Sequence, residues 1–351
     1  MSVKSFVRIG IGPAAFLACL ALAAAPASAD RVYRKSSPAP LSGDLALSKD
    51  QVTVTPRVGN ATTVSTDDID RIEWDGEPPM LRLARADEAL GKLPEALAKY
   101  EAEFLKTSGN AKTDTQFLIA RTTAKLALAN PPQLQDAIAK LDAFRGANPN
   151  HVRFYPTLEL LGEAYLANDE FDKARTVYSE LEQAAAPTLR LGARNAKARV
   201  LLKEGKTAEA LAAFDAVIGE PAQGPAEQSR RYEAMLGRAG CLMTLAKYGE
   251  AVAALDAVID EVAPEDSRNQ ATAYVLKGDC LRALDKDKDA LLAYLHVDVL
   301  FAHERPQHAE ALYNLARLWG QVDNQDRAND AAARLSSAYP NSPWAKKLSS
   351  G

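Results

Sequence analysis

Residues 158–178 read LELLGEAYLANDEFDKARTVY, and the order of small, aromatic and polar residues in this stretch decides the fold. Leu158, Leu161, Gly162 and Tyr165 fall at i, i+3, i+4 and i+7, one face of a helix. Asn168, Asp169 and Glu170 make a polar turn, and Phe171, Ala174 and Tyr178 open a second helix. The four-residue step from Ala to an aromatic or Leu recurs as Ala96/Tyr100, Ala137/Leu141, Ala174/Tyr178, Ala210/Phe214, Ala251/Leu255 and Ala290/Tyr294. Ala328/Ala332 continues the series with a smaller second member. Successive Ala positions lie 41, 37, 36, 41, 39 and 38 residues apart. A period in that range predicts a solenoid of stacked helix pairs. Such a stack presents a long surface and no enclosed pocket, so binding is its default activity.

The 158–178 stretch resembles the W-x2-L-G-x2-Y then A-x3-F signature of the tetratricopeptide repeat (TPR) family, with Leu158 in the Trp position. A second copy has Tyr274, Gly278 and Leu281, then Ala290 and Tyr294, and Pro149 and Pro340 fall where a repeat ends its second helix. The resemblance implies a mainly α chain, a right-handed solenoid of about seven TPR-like helix pairs over residues 77–347, with 348–351 as a tail. It bears on fold far more than on function, because such repeats serve many partners. The small residues have a packing reason. Two antiparallel helices approach closely only where one contact position lacks bulk. Gly162, Gly278, Ala198, Ala239 and Ala316 are expected there in the first helices, opposed by the Ala series of the second helices with the aromatics beside them.

Residues 1–29 read as an export signal. Lys4 and Arg8 supply the positive start, Ile9 to Ala25 is apolar, and Ala27-Ser28-Ala29 is an A-x-A cleavage site before Asp30. The apolar run is short for a membrane span and no charged stop follows it, so no transmembrane segment is expected after signal removal. Cys19 raises a lipoprotein alternative, but Phe16 fits a lipobox poorly, and no Arg-Arg pair points to a twin-Arg route. Residues 30–76 differ in texture. Leu45 and Leu47, then Val52 and Val54, alternate with polar residues, Val64, Ile69, Ile72 and Trp74 follow, and Gly43, Pro56 and Gly59 punctuate the strands. Four or five short strands are expected, a small all-β module resembling SH3-like or Sm-like barrels. So small a unit buries little core alone, and Trp74 is expected to seat it on the first helices. Pro78 and Pro79 then open the first helix.

The net charge is −4, and removal of Lys4 and Arg8 leaves 40 basic against 46 acidic residues, near −6. A nucleic-acid partner is not expected, because binding the phosphate backbone needs a basic surface. The β module also lacks an aromatic stacking platform. Both signs of charge are interspersed, as on solvated helix faces. Cys241 and Cys280 share one phase of adjacent repeats. Stacked helices stand roughly 9–10 Å apart, too far for a disulfide, which needs Cα atoms within about 7 Å. Two buried free thiols are expected.

Three stretches imitate chemical motifs. Gly205-Lys206-Thr207 resembles the end of a P-loop, but the first Gly of that motif falls on Val200. The stretch sits where the repeat needs its inter-helix turn. Asp285, Asp287 and Asp289 imitate an EF-hand, but Ala290 replaces the required Gly and His296 the bidentate Glu. His303-Glu304 with His308 has i, i+5 spacing and an intervening Pro306, which breaks the helix a zinc pair requires. No cofactor, no metal and no catalytic set is therefore expected.

In TPR-like stacks the first helix of each pair lines the concave face. The positions opposite the buried stripe are Glu159, Glu163 and Leu166; Asn195, Arg199 and Leu202; Leu236, Gly240 and Met243; Val275, Asp279 and Arg282; Tyr313 and Arg317. Arg and Tyr are enriched at binding hot spots. Asn195, Arg199, Arg282, Tyr313 and Arg317 are thus the candidate partner-binding residues, on one shared face. Gly240 and Met243 form a shallow apolar centre suited to a helix or an extended peptide. The expected protein is a non-enzymatic interaction scaffold of the bacterial cell envelope, binding a protein or peptide partner. Its alternatives are a self-associating structural protein, a homo-oligomer joined through end repeats, and an enzyme with a site between the β module and the solenoid.

Overall fold

The computed structural model describes residues 29–350. The signal segment, with Lys4, Arg8 and Cys19, lies outside the described residues but for Ala29, as does Gly351. Five strands come first: β1 Asp30–Arg34, β2 Ser37–Leu47, β3 Gln51–Thr55, β4 Thr62–Ser65 and β5 Ile69–Glu73. They form one antiparallel sheet in the order β4-β3-β2-β1-β5. The period-2 pattern turns Val32, Val52, Val54, Val64, Ile69 and Ile72 to one side, where they meet Trp74 and Val152 of the solenoid. Gly43 lies inside β2 rather than at a strand boundary. A Cβ there would stand 2.2 Å from the Thr55 carbonyl oxygen, so the close crossing of β2 and β3 requires Gly.

The helices pair as α1 Met80–Ala89 with α2 Leu93–Phe104, α3 Gly109–Leu128 with α4 Leu134–Ala147, and α5 Phe154–Ala167 with α6 Phe171–Leu181. Next come α7 Pro187–Lys203 with α8 Thr207–Ile218, α9 Pro225–Thr244 with α10 Tyr248–Glu261, α11 Ser267–Ala283 with α12 Asp287–Leu300, and α13 Arg305–Gln321 with α14 Gln325–Ala338. A short α15 Pro343–Ser349 ends the chain. These are the seven pairs that the period predicts. Every Ala of the recurring series sits in a second helix, and Ala96, Ala137, Ala174, Ala210, Ala251 and Ala290 are wholly buried. The turns within pairs repeat one device. Gly91, Asp169, Gly205, Ala246, Asp285 and Asp323 all adopt positive φ, between 56° and 80°, the left-handed conformation that ends a helix within one residue. The P-loop-like and EF-hand-like stretches are two of these turns. In the pair α3–α4 a short 3-10 turn at Pro131–Gln133 takes their place.

The close approach between helices differs in one respect from expectation. It is the aromatic ring, not the Ala, that lies on each Gly. A Cβ on Gly162 would stand 2.4 Å from Tyr178, and one on Gly278 would stand 2.6 Å from Tyr294. The third such Gly is Gly237 in α9, which accommodates Phe214 of the preceding repeat at 2.3 Å. A ring is large and flat, so it fills the inter-helix space only where the facing residue has no side chain. Cys241 and Cys280 are buried free thiols, and burial pushes both above the ordinary thiol range.

The β module is seated on the solenoid by buried polar contacts rather than by apolar packing alone. Trp74 donates from Nε1 to Asp114 of α3 at 3.2 Å, and Arg153 donates from Nε to the other Asp114 oxygen at 2.6 Å. Burial alone would raise the Asp114 carboxyl, but Arg153, Arg85 and Trp74 together hold it below the usual range. Tyr155 donates to Asp50 at 2.8 Å, and Thr188 donates to Asp67. The module thus grips α3, α5 and α7, in the second, third and fourth pairs.

Candidate functional site

The first helices of successive pairs stand side by side, and the solenoid they build curls far enough for its ends to touch. The Arg305 guanidinium of α13 packs on Gly91 in the first turn, 2.7 Å from where a Cβ would be. Lys346 of α15 donates to the Ala129 carbonyl after α3 at 2.9 Å. The concave face is therefore not the open surface that the repeat alone predicts. It is a cleft of about 690 Å3, walled by α3, α5, α7, α9 and α11 and closed along one edge by Lys35, Ile69 and Asp70 of the β module. A smaller recess of about 280 Å3 continues between the sheet and the starts of α5, α7 and α9.

The cleft wall is built in helical steps. From α5 come Glu159 and Glu163, one turn apart. From α7 come Asn195, Arg199 and Leu202; from α9 come Arg230, Glu233, Leu236 and Gly240; and from α11 come Arg268, Thr272 and Leu276. Burial within the cleft pushes Glu159 and Glu163 above the usual carboxylate range, although Arg230 and Arg199 pull in the opposite direction. Glu163 is open to water yet surrounded by protein. A narrow cleft has this effect, because it admits water molecules but not a full hydration shell. Arg230 reaches Glu159 at 3.6 Å and holds both Glu233 oxygens at 3.0 Å.

The five candidate residues divide between two places. Arg199 is exposed and lines the cleft as expected. Asn195 also lines it, but as a buried residue, only 1% exposed, whose Nδ2 donates to the Arg230 carbonyl at 2.7 Å and ties α7 to α9. Arg282, Tyr313 and Arg317 gather at the C-terminal end instead. Tyr313 is 5% exposed, because Trp344 and Lys347 of α15 fold over its ring. Arg317 stacks on the same ring, and Arg282 donates to Asn314 at 2.7 Å. One shared open face for all five is thus corrected: α15 covers the end of it. Leu236 and Val275, expected on the open face, are also buried.

Sequence reasoning missed Arg230, Glu233 and Arg268, one or two helical turns N-terminal to the positions chosen. Extending the same i, i−3, i−7 series from Leu236 and Val275 reaches Glu233 and Arg268. It also missed the β-module edge of the cleft, for which the local pattern carries no signal.

Near α15 a second acidic group forms. Tyr294 donates to Asp279 at 2.6 Å. Glu310 is pushed up to about 7 by burial and by the neighbouring Asp279, against the pull of Lys347. His308, one of the zinc-like pair, is a clasp. Its Nε2 is 2.8 Å from Asp298 and its Nδ1 is 2.6 Å from the Tyr339 hydroxyl, while His303 is exposed. Among the described residues no group of three or more His, Cys, Asp or Glu is placed to hold a metal, and no helix is long and apolar enough to cross a membrane.

Tetratricopeptide repeat family profiles match residues 133–189 and 195–266, and a further one matches 310–342. No curated protein sequence matches the chain. Among solved structures, a tetratricopeptide repeat protein from Parabacteroides merdae is similar at 16% identity, covering 77% of this chain and 95% of that one, with a TM-score of 0.47. A Rap protein complexed with Competence and Sporulation Factor is similar at 17% identity over 76% of this chain and 77% of its own, with a TM-score of 0.47. PilW, a type IV pilus biogenesis factor, is similar at 15% identity over 68% of this chain and 99% of its own, with a TM-score of 0.42. The matched segments span α4 to α10 and α13 to α14, and the pairs α1–α2 and α11–α12 repeat the same Ala phase and turn geometry. Residues 133–189, 195–266 and 310–342 are therefore tetratricopeptide repeats, and repeats of this kind indicate a protein–protein interaction scaffold.

Proposed function

We propose that this protein is an exported, non-enzymatic scaffold of the bacterial cell envelope that holds a segment of a partner protein in the cleft between its first helices and the β module. The observation that carries this reading is the cleft itself. It is long, lined by helices of five successive repeats, and furnished with separate charged groups and small apolar steps at Leu202, Leu236, Gly240 and Leu276. An extended or helical segment matches that lining better than a small molecule does. The end contacts at Gly91 and Ala129 occupy, within one chain, surfaces that head-to-tail association of end repeats would need. That favours a partner other than a second copy.

Two measurements test it. A photo-crosslinking residue placed at Arg199 is expected to capture a partner in living cells, while the same residue at Asp172, exposed on α6, captures none. Equal capture at both positions refutes the cleft as the binding site. N-terminal sequencing of the protein recovered from the envelope is expected to begin at Asp30. A retained leader or a lipid-modified Cys19 refutes soluble export through signal cleavage.

A further inference from the structure

We infer that the centre of the cleft is a subsite for a cationic side chain, the ammonium of a lysine or the guanidinium of an arginine, carried by the bound partner segment; this rests on the cleft reading above. Glu159 and Glu163 face the cleft one helical turn apart on α5. Glu163 makes no ion pair or hydrogen bond among the described residues. Glu159 has only Arg230, at 3.6 Å, and that guanidinium is already held by Glu233.

The wall behind them adds two more unmet groups. Asn195 is 1% exposed; its Nδ2 is used, and its Oδ1 has no partner. Tyr178, 1% exposed, lies against Gly162 with its hydroxyl also unpartnered. Both residues line the cleft. Buried polar groups are rarely left without partners, because an unmet one keeps its full desolvation cost. The centre thus holds an excess of acceptors: two carboxylates and an amide oxygen. A lysine brings three N–H groups and an arginine five in a planar fork.

Other charges face the same space. Lys35, Arg121, Arg153, Arg199 and Arg268 oppose a second cation, although Arg121 is held by Glu88 and Arg153 by Asp114, and Asp70 and Glu233 favour one. Arg199 stands on α7 beside the Tyr178 hydroxyl with no ion pair among the described residues, and can take a carbonyl or carboxylate of the same segment. An anionic group at the centre would instead sit beside two carboxylates and leave the Asn195 oxygen unmet.

The test uses a phage-displayed random dodecapeptide library selected on the intact protein, with binding measured by fluorescence anisotropy. Three proteins are compared: the parent, Glu159→Gln/Glu163→Gln, and Gly240→Trp. The last is a cleft block. A Cβ at Gly240 meets its first neighbour, Leu202, at 3.8 Å, so a side chain is rooted there without strain and extends into the cleft. Circular dichroism and thermal midpoints confirm that each variant folds. The expected peptides share one Lys or Arg. Replacing it by Gln weakens binding to the parent by about tenfold or more, as for a partly buried charge pair, and does little to the Gln/Gln protein. Peptides blocked by Gly240→Trp but indifferent to the two glutamates overturn the cationic subsite and leave the cleft reading standing. Peptides that bind Gly240→Trp as well as the parent, or a library without binders, overturn both.

Discussion

Gly162→Ala separates two effects of opposite sign. In a helix, Ala is favoured over Gly by about 1 kcal/mol, so the change alone should stabilise α5. The structure reverses the sign. The added Cβ would stand 2.4 Å from both Cε1 and Cζ of Tyr178, more than 1 Å inside ordinary carbon contact. The ring is 1% exposed and packed on a wholly buried Ala174, so it has no free direction, and overpacking of this kind costs about 1–3 kcal/mol. Wedging the helices apart should also loosen the 158–178 repeat locally, since each repeat leans only on its neighbours. We expect Gly162→Ala to destabilise by up to about 2 kcal/mol net. Gly278→Ala and Gly237→Ala should behave alike, against Tyr294 and Phe214. Gly146→Ala and Gly320→Ala are the controls. Both are exposed helical positions with nothing within 4 Å of the new Cβ, and they should stabilise by up to about 1 kcal/mol. Urea midpoints at constant slope would rank the five variants, and hydrogen exchange would place the loosening in α5 and α6. If Gly162→Ala shifts the midpoint in the same direction as Gly146→Ala, the ring-on-glycine packing is wrong.

Ala246 holds φ at 56° in the α9–α10 turn, where the five equivalent turns use Asp or Gly with little strain; Ala246→Gly should raise the urea midpoint by an amount equal to about 1 kcal/mol, and an unchanged or lower midpoint would mean that the turn is not left-handed. Glu310, about 7 in the folded chain against an ordinary 4.5, keeps its proton longer when folded, so its contribution to stability falls as pH rises from about 4.5 through 7. Glu310→Gln should flatten that fall and be the more stable protein at pH 8, by about 1–3 kcal/mol; parallel stability curves for variant and parent between pH 5 and pH 8 would refute the burial of that carboxyl.

The repeat was legible because its signal is local. Ala174 and Tyr178 are one turn apart, and the same step reappears six times in a phase that only a helix pair satisfies. The turns were legible where Gly or Asp marks them, as at Gly205 and Asp285, and not at Ala246, where tertiary packing imposes a conformation that the residue does not prefer. The open face was the weaker reading for a physical reason. A first helix in a curled stack is covered by its own partner helix, by the preceding repeat and by neighbouring first helices. The stripe left to solvent is narrower than half a helix. Glu163 and Arg199 fall inside it; Asn195, Leu236 and Val275 fall just outside. Tyr313 failed for a different reason: Trp344 covers it from α15, and no local pattern encodes that contact. The seat of the β module on Asp114 is equally non-local, joining Trp74 to a residue 40 positions later.

What keeps the cleft closed follows from comparing the contacts at its two boundaries. The solenoid ends meet through Lys346 on a carbonyl oxygen and Arg305 on Gly91, both at the surface. Exposed polar contacts of this kind contribute about 1 kcal/mol or less. The β-module edge rests on Asp114, 1% exposed, held by the buried Arg153 and by Trp74. The buried Trp74 hydrogen bond to that carboxylate, which crosses from module to solenoid, contributes about 1.5–3 kcal/mol. The end contacts are therefore a consequence of the curl and not its cause. Curvature is set inside the stack, by rings lying on Gly162, Gly237 and Gly278 and by Asn195 tying α7 to α9. The rigid wall of the cleft is the β module, and the yielding one is the junction of the two ends.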